Sequence, residues 1–139
     1  MKLITFISAG AFILFSAFLM RKETAAQKTP LYNTKWSLKI IYTESNAEEV
    51  LTKAFIKFNA EKKSAGGNGG CNSFGSSFTV NKNAISFKNI FSTKMYCEGV
   101  QQIEDAFFKQ LEKANRFEVK EKELILYYDK EVLLEFVGE

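Results

Sequence analysis

Two cysteines, Cys71 and Cys97, and a group of carboxylates, Glu98, Glu104 and Asp105, are the side chains here best suited to chemistry. A thiol becomes a nucleophile when a base activates it, and the chain contains no histidine, so a Cys-His pair is closed. The same absence excludes a Ser-His-Asp triad, an HExxH zinc site and a His-Cys zinc finger. The cysteines are left as a disulfide or as two buried thiols acting as small apolar residues. Paired acids can hydrolyse glycosides, but only at a defined separation across a cleft. Glu104 and Asp105 are sequence neighbours, which point apart on a helix, and acids in a helix's first turns are favoured by its dipole. A solvated face or a helix-end role is the simpler expectation for them. A carboxylate-dependent hydrolase is the enzymatic alternative. No catalytic residue, metal or cofactor is assigned.

The elements that must position these groups are read from periodicity. Lys35-Trp36-Ser37-Leu38-Lys39-Ile40 alternates polar and apolar, the period of a half-buried strand. Thr43 to Glu49 is a polar connection, and Ala54, Ile56 and Phe58 resume the alternation. Phe74, Ser76, Phe78 and Val80 share one face of a further strand. Asn81-Lys82-Asn83 turns it into a hairpin with Ile85 and Phe87. After Cys97 the period changes. Val100, Ile103, Phe107, Leu111 and Ala114 recur at three- and four-residue steps and predict a helix from about Gly99 to Asn115. Gln101, Glu104, Asp105, Lys109 and Glu112 fall largely outside that stripe. Phe117 and Val119 lead to a charged turn, Lys120-Glu121-Lys122-Glu123. Leu124 to Tyr128 is apolar enough to be covered on both faces. Val132, Leu134 and Phe136 line one side of a last strand.

The chain has 139 residues, 46% hydrophobic and 25% charged, enough for one domain with one core. Neither a disordered chain nor a polytopic membrane protein fits that composition. From Leu3 to Met20 there is no charge, and Lys2 precedes the run. Such a segment reads as a secretory signal, with Thr24-Ala25-Ala26 offering small residues for cleavage. An uncleaved anchor is the alternative, since the run just suffices to span a bilayer. Residues 1–27 are therefore assigned to a signal peptide or N-terminal anchor, and 28–139 to the domain. The formal net charge is +3, but Lys2, Arg21 and Lys22 against Glu23 account for most of it. The remainder is nearly neutral, so nucleic acid is not an expected partner. Export with an even cysteine count favours a Cys71–Cys97 disulfide. On the chain-entropy account such a loop stabilises by roughly 3–4 kcal/mol.

The most informative segment is Gly67-Asn68-Gly69-Gly70-Cys71-Asn72-Ser73-Phe74, followed by Thr93-Lys94-Met95-Tyr96-Cys97 and then by Glu104, Phe107 and Leu111. With Trp36-Ser37-Leu38 before them and Leu134-Glu135-Phe136 at the end, these segments resemble the META domain, the HslJ-like family of bacterial envelope proteins. The resemblance spans about Leu31 to Val137. It departs in one place, because the family usually has Gly two residues after the Phe, and here Gly75 falls one place early with Ser76 at that position. It implies a small antiparallel, barrel-like sheet with one helix packed on or in it, and, because Glu104 recurs in the family pattern, a pairing of Glu104 inside the fold as the alternative to a solvated acid. It also implies an exported protein loosely linked to heat shock and antibiotic tolerance, without a catalytic site to carry over.

The residue types suit structural roles. Glycines at 66, 67, 69 and 70 let the backbone take positive φ or approach another strand closely, as at a bulge or corner. A backbone-amide nest for an anion is the functional alternative, but the Lys and Ser/Thr of a P-loop are missing. Asn72 can hold the corner through nearby backbone or contact a ligand. Trp36, Gly67, Gly69, Gly70, Asn72, Phe74, Thr93, Met95 and Glu104 thus make a structural motif. The expected fold is mainly antiparallel β with one α-helix, an α+β chain. The expected function is a non-catalytic binding or stress-tolerance module of the periplasm or cell envelope, or a secreted one. Its partner would be an envelope protein or small ligand, with membrane contact only through an uncleaved leader. A small-ligand carrier is the alternative beside the hydrolase.

Overall fold

The computed structural model describes residues 28–139, and the expected signal or anchor lies outside the described residues. Ten elements succeed one another along the chain. They are β1 (Trp36–Tyr42), β2 (Ala47–Glu49), β3 (Phe55–Asn59), β4 (Ser64–Asn68), β5 (Ser73–Asn81), β6 (Ala84–Ser92), α1 (Gln101–Lys113), β7 (Arg116–Lys120), β8 (Glu123–Tyr128) and β9 (Glu131–Gly138). Strands pair antiparallel in the order β2-β1-β3-β4-β5-β6-β7-β8-β9, and β1 also pairs with β9, so the sheet closes into a ring. The ring is thinnest between β6 and β7, which meet only at Ala84 and Arg116. The helix packs against β6 and β9, and just beyond it the Asn115 carbonyl accepts the Ile85 N–H at 3.1 Å. The mainly antiparallel sheet with one helix is the architecture the patterning predicts.

Alternation carries the core. Trp36, Leu38, Ile56, Phe58, Leu124, Leu126, Leu134 and Phe136 are fully buried, and Phe107 and Leu111 enter from the helix. Phe107 meets Phe74 edge-on at 5.5 Å between centroids and Phe136 at 6.1 Å, arrangements aromatic rings favour. Trp36 is buried without losing its donor, because its indole N–H donates to the Leu31 carbonyl at 2.9 Å.

Four features depart from the simple pattern. Lys39 is an extra residue in β1, since Leu38 pairs with Phe136 and Ile40 with Glu135. A bulge transfers the later residues of a strand to the other face, so Ile41 is buried and Ile40 only half-buried. Leu133 is likewise extra in β9, where Leu126 pairs with Leu134 but Tyr127 with Val132. Leu133 joins Leu134 in the core, and Val132 is left half-buried. β2 lies inside the expected polar connection and is wholly exposed; its pairing with Ile40–Tyr42, not any apolar face, makes it a strand. The first half of the glycine run is a central strand, β4, between β3 and β5. There Gly67 lies so close to the Phe55 carbonyl that a Cβ would collide with it, and at Gly66 one would sit 2.7 Å from the Phe74 carbonyl.

The helix is two residues shorter at each end than its stripe predicts. It begins after Gly99 at φ +77° and ends where Ala114 turns extended. Glu104 corrects the expectation of a solvated face, being 1% exposed. Three and seven residues before Phe107 and Leu111, it shares their face of the helix.

Candidate functional site

The chemistry-bearing residues converge where the corner Gly69–Asn72, the segment Thr93–Cys97 and the first turn of α1 meet. Gly70, at φ +121°, bends the chain, and its N–H donates to Asn68 Oδ1 at 2.7 Å. Two successive amides then point at the helix. The N–H groups of Cys71 and Asn72 donate to Glu104 Oε2 at 3.0 and 2.6 Å. The anion in this backbone nest is therefore Glu104 itself. Gly69 makes room for it, because a Cβ there would lie 2.7 Å from Glu104 Oε2 and 2.7 Å from the Phe108 ring.

Asn72 binds the third segment. Its Nδ2 donates to Glu104 Oε1 at 2.6 Å and to the Met95 carbonyl at 2.9 Å. Its Oδ1 accepts the Thr93 hydroxyl and the Met95 N–H, both at 2.8 Å. These four bonds are all that one carboxamide can make. The Cys71–Cys97 disulfide, with Cα atoms 5.8 Å apart and its partners 26 positions apart in sequence, closes the same junction covalently. Phe74 supports it from below, packed on Phe107 and, at 5.1 Å, on Phe108.

The sequence-predicted residues do not all gather here. Gly69, Gly70, Cys71, Asn72, Phe74, Thr93, Met95, Cys97 and Glu104 do. Trp36 lies in β1 and Gly67 in β4. Asp105 points to solvent and accepts a hydrogen bond from Gln101 at 3.0 Å, so the adjacent acids diverge. Glu98 is exposed. Among the described residues no group of three or more His, Cys, Asp or Glu side chains is placed to hold a metal ion.

Sequence patterning also missed three groups. Gln110 is buried and its amide donates to the Tyr42 carbonyl, fastening α1 to β1. Its spacing, three residues after Phe107 and four before Ala114, puts it on the apolar stripe, but its polar type hid that. Met95 and Tyr96 are the second surprise. The backbone of Met95 is held at both polar atoms, yet its side chain is 59% exposed and that of Tyr96 is 78% exposed. A groove of about 310 Å³ beside them is lined by Thr93, Lys94, Met95, Tyr96, Asp105 and Phe108 among others. Third, Ser76 is buried on the face it shares with Phe74 and Phe78, as its alternation predicts, but its hydroxyl has no hydrogen-bond partner among the described residues.

Charge outside the junction is arranged in pairs. Hydrogen bonds first from Arg116 and then from Lys120 hold the Glu118 carboxyl below its ordinary range. At Tyr42 the hydroxyl donates to Glu135 Oε1 at 2.7 Å, and that bond, with burial and the carboxylate's charge, raises the phenol above its ordinary value.

The junction joins most of the residues that carry the family resemblance, and the META domain family model matches residues 29–139. The chain belongs to the META domain family. Two solved structures share the META fold. One is the NMR structure of a protein from Burkholderia xenovorans, with a TM-score of 0.66, 23% identity, and coverage of 78% of this chain and 83% of that one. The other, also an NMR structure, has a TM-score of 0.57, 17% identity, and coverage of 75% and 88%. Among curated proteins no sequence matches this META domain chain.

Proposed function

We propose that this META domain protein is a non-catalytic binding module of the bacterial cell envelope, accessory to stress tolerance, which engages a protein partner through the Met95–Tyr96 segment. One observation carries the reading: a segment fastened by a disulfide and by Asn72 displays two large side chains to solvent. Rigid display lowers the ordering cost of association, and exposed Met and Tyr are residue types enriched at interfaces. The carboxylate of Glu104 and the amide of Asn72, the chemical groups of the junction, are used up in holding it. Export is supported by the charge-free run Leu3–Met20 and by the disulfide, which belongs to oxidising compartments.

A photo-crosslinking residue placed at position 96 of the full chain, in intact cells, tests this. A discrete adduct in the envelope fraction is expected from position 96 and not from exposed Tyr128. No adduct, or the same adduct from both positions, overturns the reading.

A further inference from the structure

A groove lies away from the junction, on the outer face of the sheet. It encloses about 470 Å³ and is lined by Asn33, Lys57, Asn59, Ser64, Gly66, Gly75 and Phe91 among others. That volume is within the usual range for small-molecule sites. Its shape is set by strand register. Lys57 pairs with Gly66, Gly66 with Gly75, and Gly75 with Phe91, so one transverse row runs across β3, β4, β5 and β6. The two central positions carry no side chain. The row is therefore bare of side chains at Gly66, with an ammonium on one side of it and, on the other, a phenyl ring lying over Gly75. Two strand spacings separate Lys57 from Gly75 and the ring over it, roughly 10 Å.

Phe91 is 70% exposed, and the tip of its ring reaches over Gly75, where a Cβ would lie 2.6 Å from it. Lys57 is exposed and has no ion-pair partner among the described residues, and no Asp or Glu lines the groove. The floor offers peptide faces, not peptide edges, because β4 is bonded to strands on both sides. Asn59 Oδ1 is already occupied by the Lys62 N–H at 2.9 Å. A π-system would find the bare backbone of Gly66, the Phe91 ring to abut and a cation for an acidic group.

We infer that the Lys57–Gly66–Gly75–Phe91 row is a binding site for an elongated aromatic carboxylate. The rings lie over Gly66 against the Phe91 ring that covers Gly75, and the carboxylate meets the Lys57 ammonium. This site is separate from the Met95–Tyr96 segment, and the failure of either leaves the other standing.

Amide chemical-shift titration of the oxidised full chain with biphenyl-4-carboxylate, and with neutral biphenyl-4-methanol as its twin, tests the site. Shifts are expected at Lys57, Gly66, Gly75 and Phe91, with the carboxylate binding more tightly. Lys57→Gln should weaken the carboxylate by roughly fivefold, the scale of an exposed ion pair, and leave the alcohol unchanged. Phe91→Ala, which removes an exposed ring, should weaken both. The inference is overturned if the row does not shift, if the shifts map to Met95 and Tyr96 instead, or if Lys57→Gln leaves the preference for the acid intact.

Discussion

Glu104 and Asn72 hold each other twice. The Asn72 N–H donates to one carboxylate oxygen and the Asn72 side chain donates to the other, each at 2.6 Å. Neither partner can be replaced by its neutral or charged twin. In Glu104→Gln the new amide must face either Asn72 Nδ2 or the N–H groups of Cys71 and Asn72, so a donor meets a donor in both orientations. Asn72 cannot rotate to accommodate it, because its Oδ1 is held by Thr93 and Met95. Urea denaturation of Glu104→Gln should show a loss of about 1–3 kcal/mol, the cost of a buried unsatisfied polar group. Asp105→Asn, at the exposed neighbour, should stay within about 0.5 kcal/mol of the parent. Equal effects at the two positions would show that the junction does not depend on the carboxylate.

The disulfide and this polar knot share the corner at Cys71 and Asn72, so their effects should not add. Replacing Cys71 and Cys97 together by Ser should lower stability by roughly 3–4 kcal/mol, the loop-closure value. A four-point cycle with Glu104→Gln, read from urea midpoints, should give a coupling of about 0.5 kcal/mol or more, as residues in one network do. Strict additivity would mean that the two devices act on separate parts of the fold.

Two glycines offer a contrast of mechanism. A Cβ at Gly67 collides with the Phe55 carbonyl inside the sheet, so Gly67→Ala must part β3 from β4. Gly99 has open space around it and only its φ of +77° to protect. Gly99→Ala should cost roughly 1–2 kcal/mol for the left-handed backbone. Gly67→Ala should cost more, and in thermal melts followed by near-ultraviolet circular dichroism its transition should come first.

Ser76 should be improvable. Its buried hydroxyl has no partner, so Ser76→Ala removes a desolvated polar group while keeping the Cβ. A gain of about 1 kcal/mol is expected in urea. A loss would mean that the hydroxyl has a partner when the protein is in solution.

Glu118 gives a pH signature of known sign. Its carboxyl is held low in the folded chain, so its stabilising contribution is present above the unfolded value and disappears as pH falls through the folded one. Melting temperature should therefore decline from about pH 4.3 downward, and Glu118→Gln should flatten that limb. An unchanged limb would place the acid sensitivity elsewhere.

Where sequence patterning succeeded, a side chain's role depended on its own strand or helix. Trp36, Leu38, Ile56 and Phe58 alternate into the core, and Phe107 and Leu111 recur on one helical face. Where it failed, the role depended on a distant partner. Glu104 looks like a solvated acid until the amides of Cys71 and Asn72 arrive from the opposite side of the junction. The extra residues Lys39 and Leu133 are visible only against the strands they pair with, and β2 exists only because Ile40–Tyr42 borders it. Exposure of Met95, Tyr96 and Phe91 was equally hidden, since an aromatic on the surface and one in the core are spelled alike.

Closure of the ring sets an order of events on the growing chain. β1 is among the first parts of the domain to be synthesised, and one of its neighbours, β9, is the last. Until Glu131–Gly138 emerges, Trp36 and Leu38 have no strand to cover them on that side, and Phe107 lacks Phe136. Contacts that span nearly the whole domain are slow to form, and the half-finished sheet has open edges meanwhile. A chain cut short by even this one strand would leave β1 and β8 each with an unpaired edge, so the eight residues of β9 act as the latch of the whole fold.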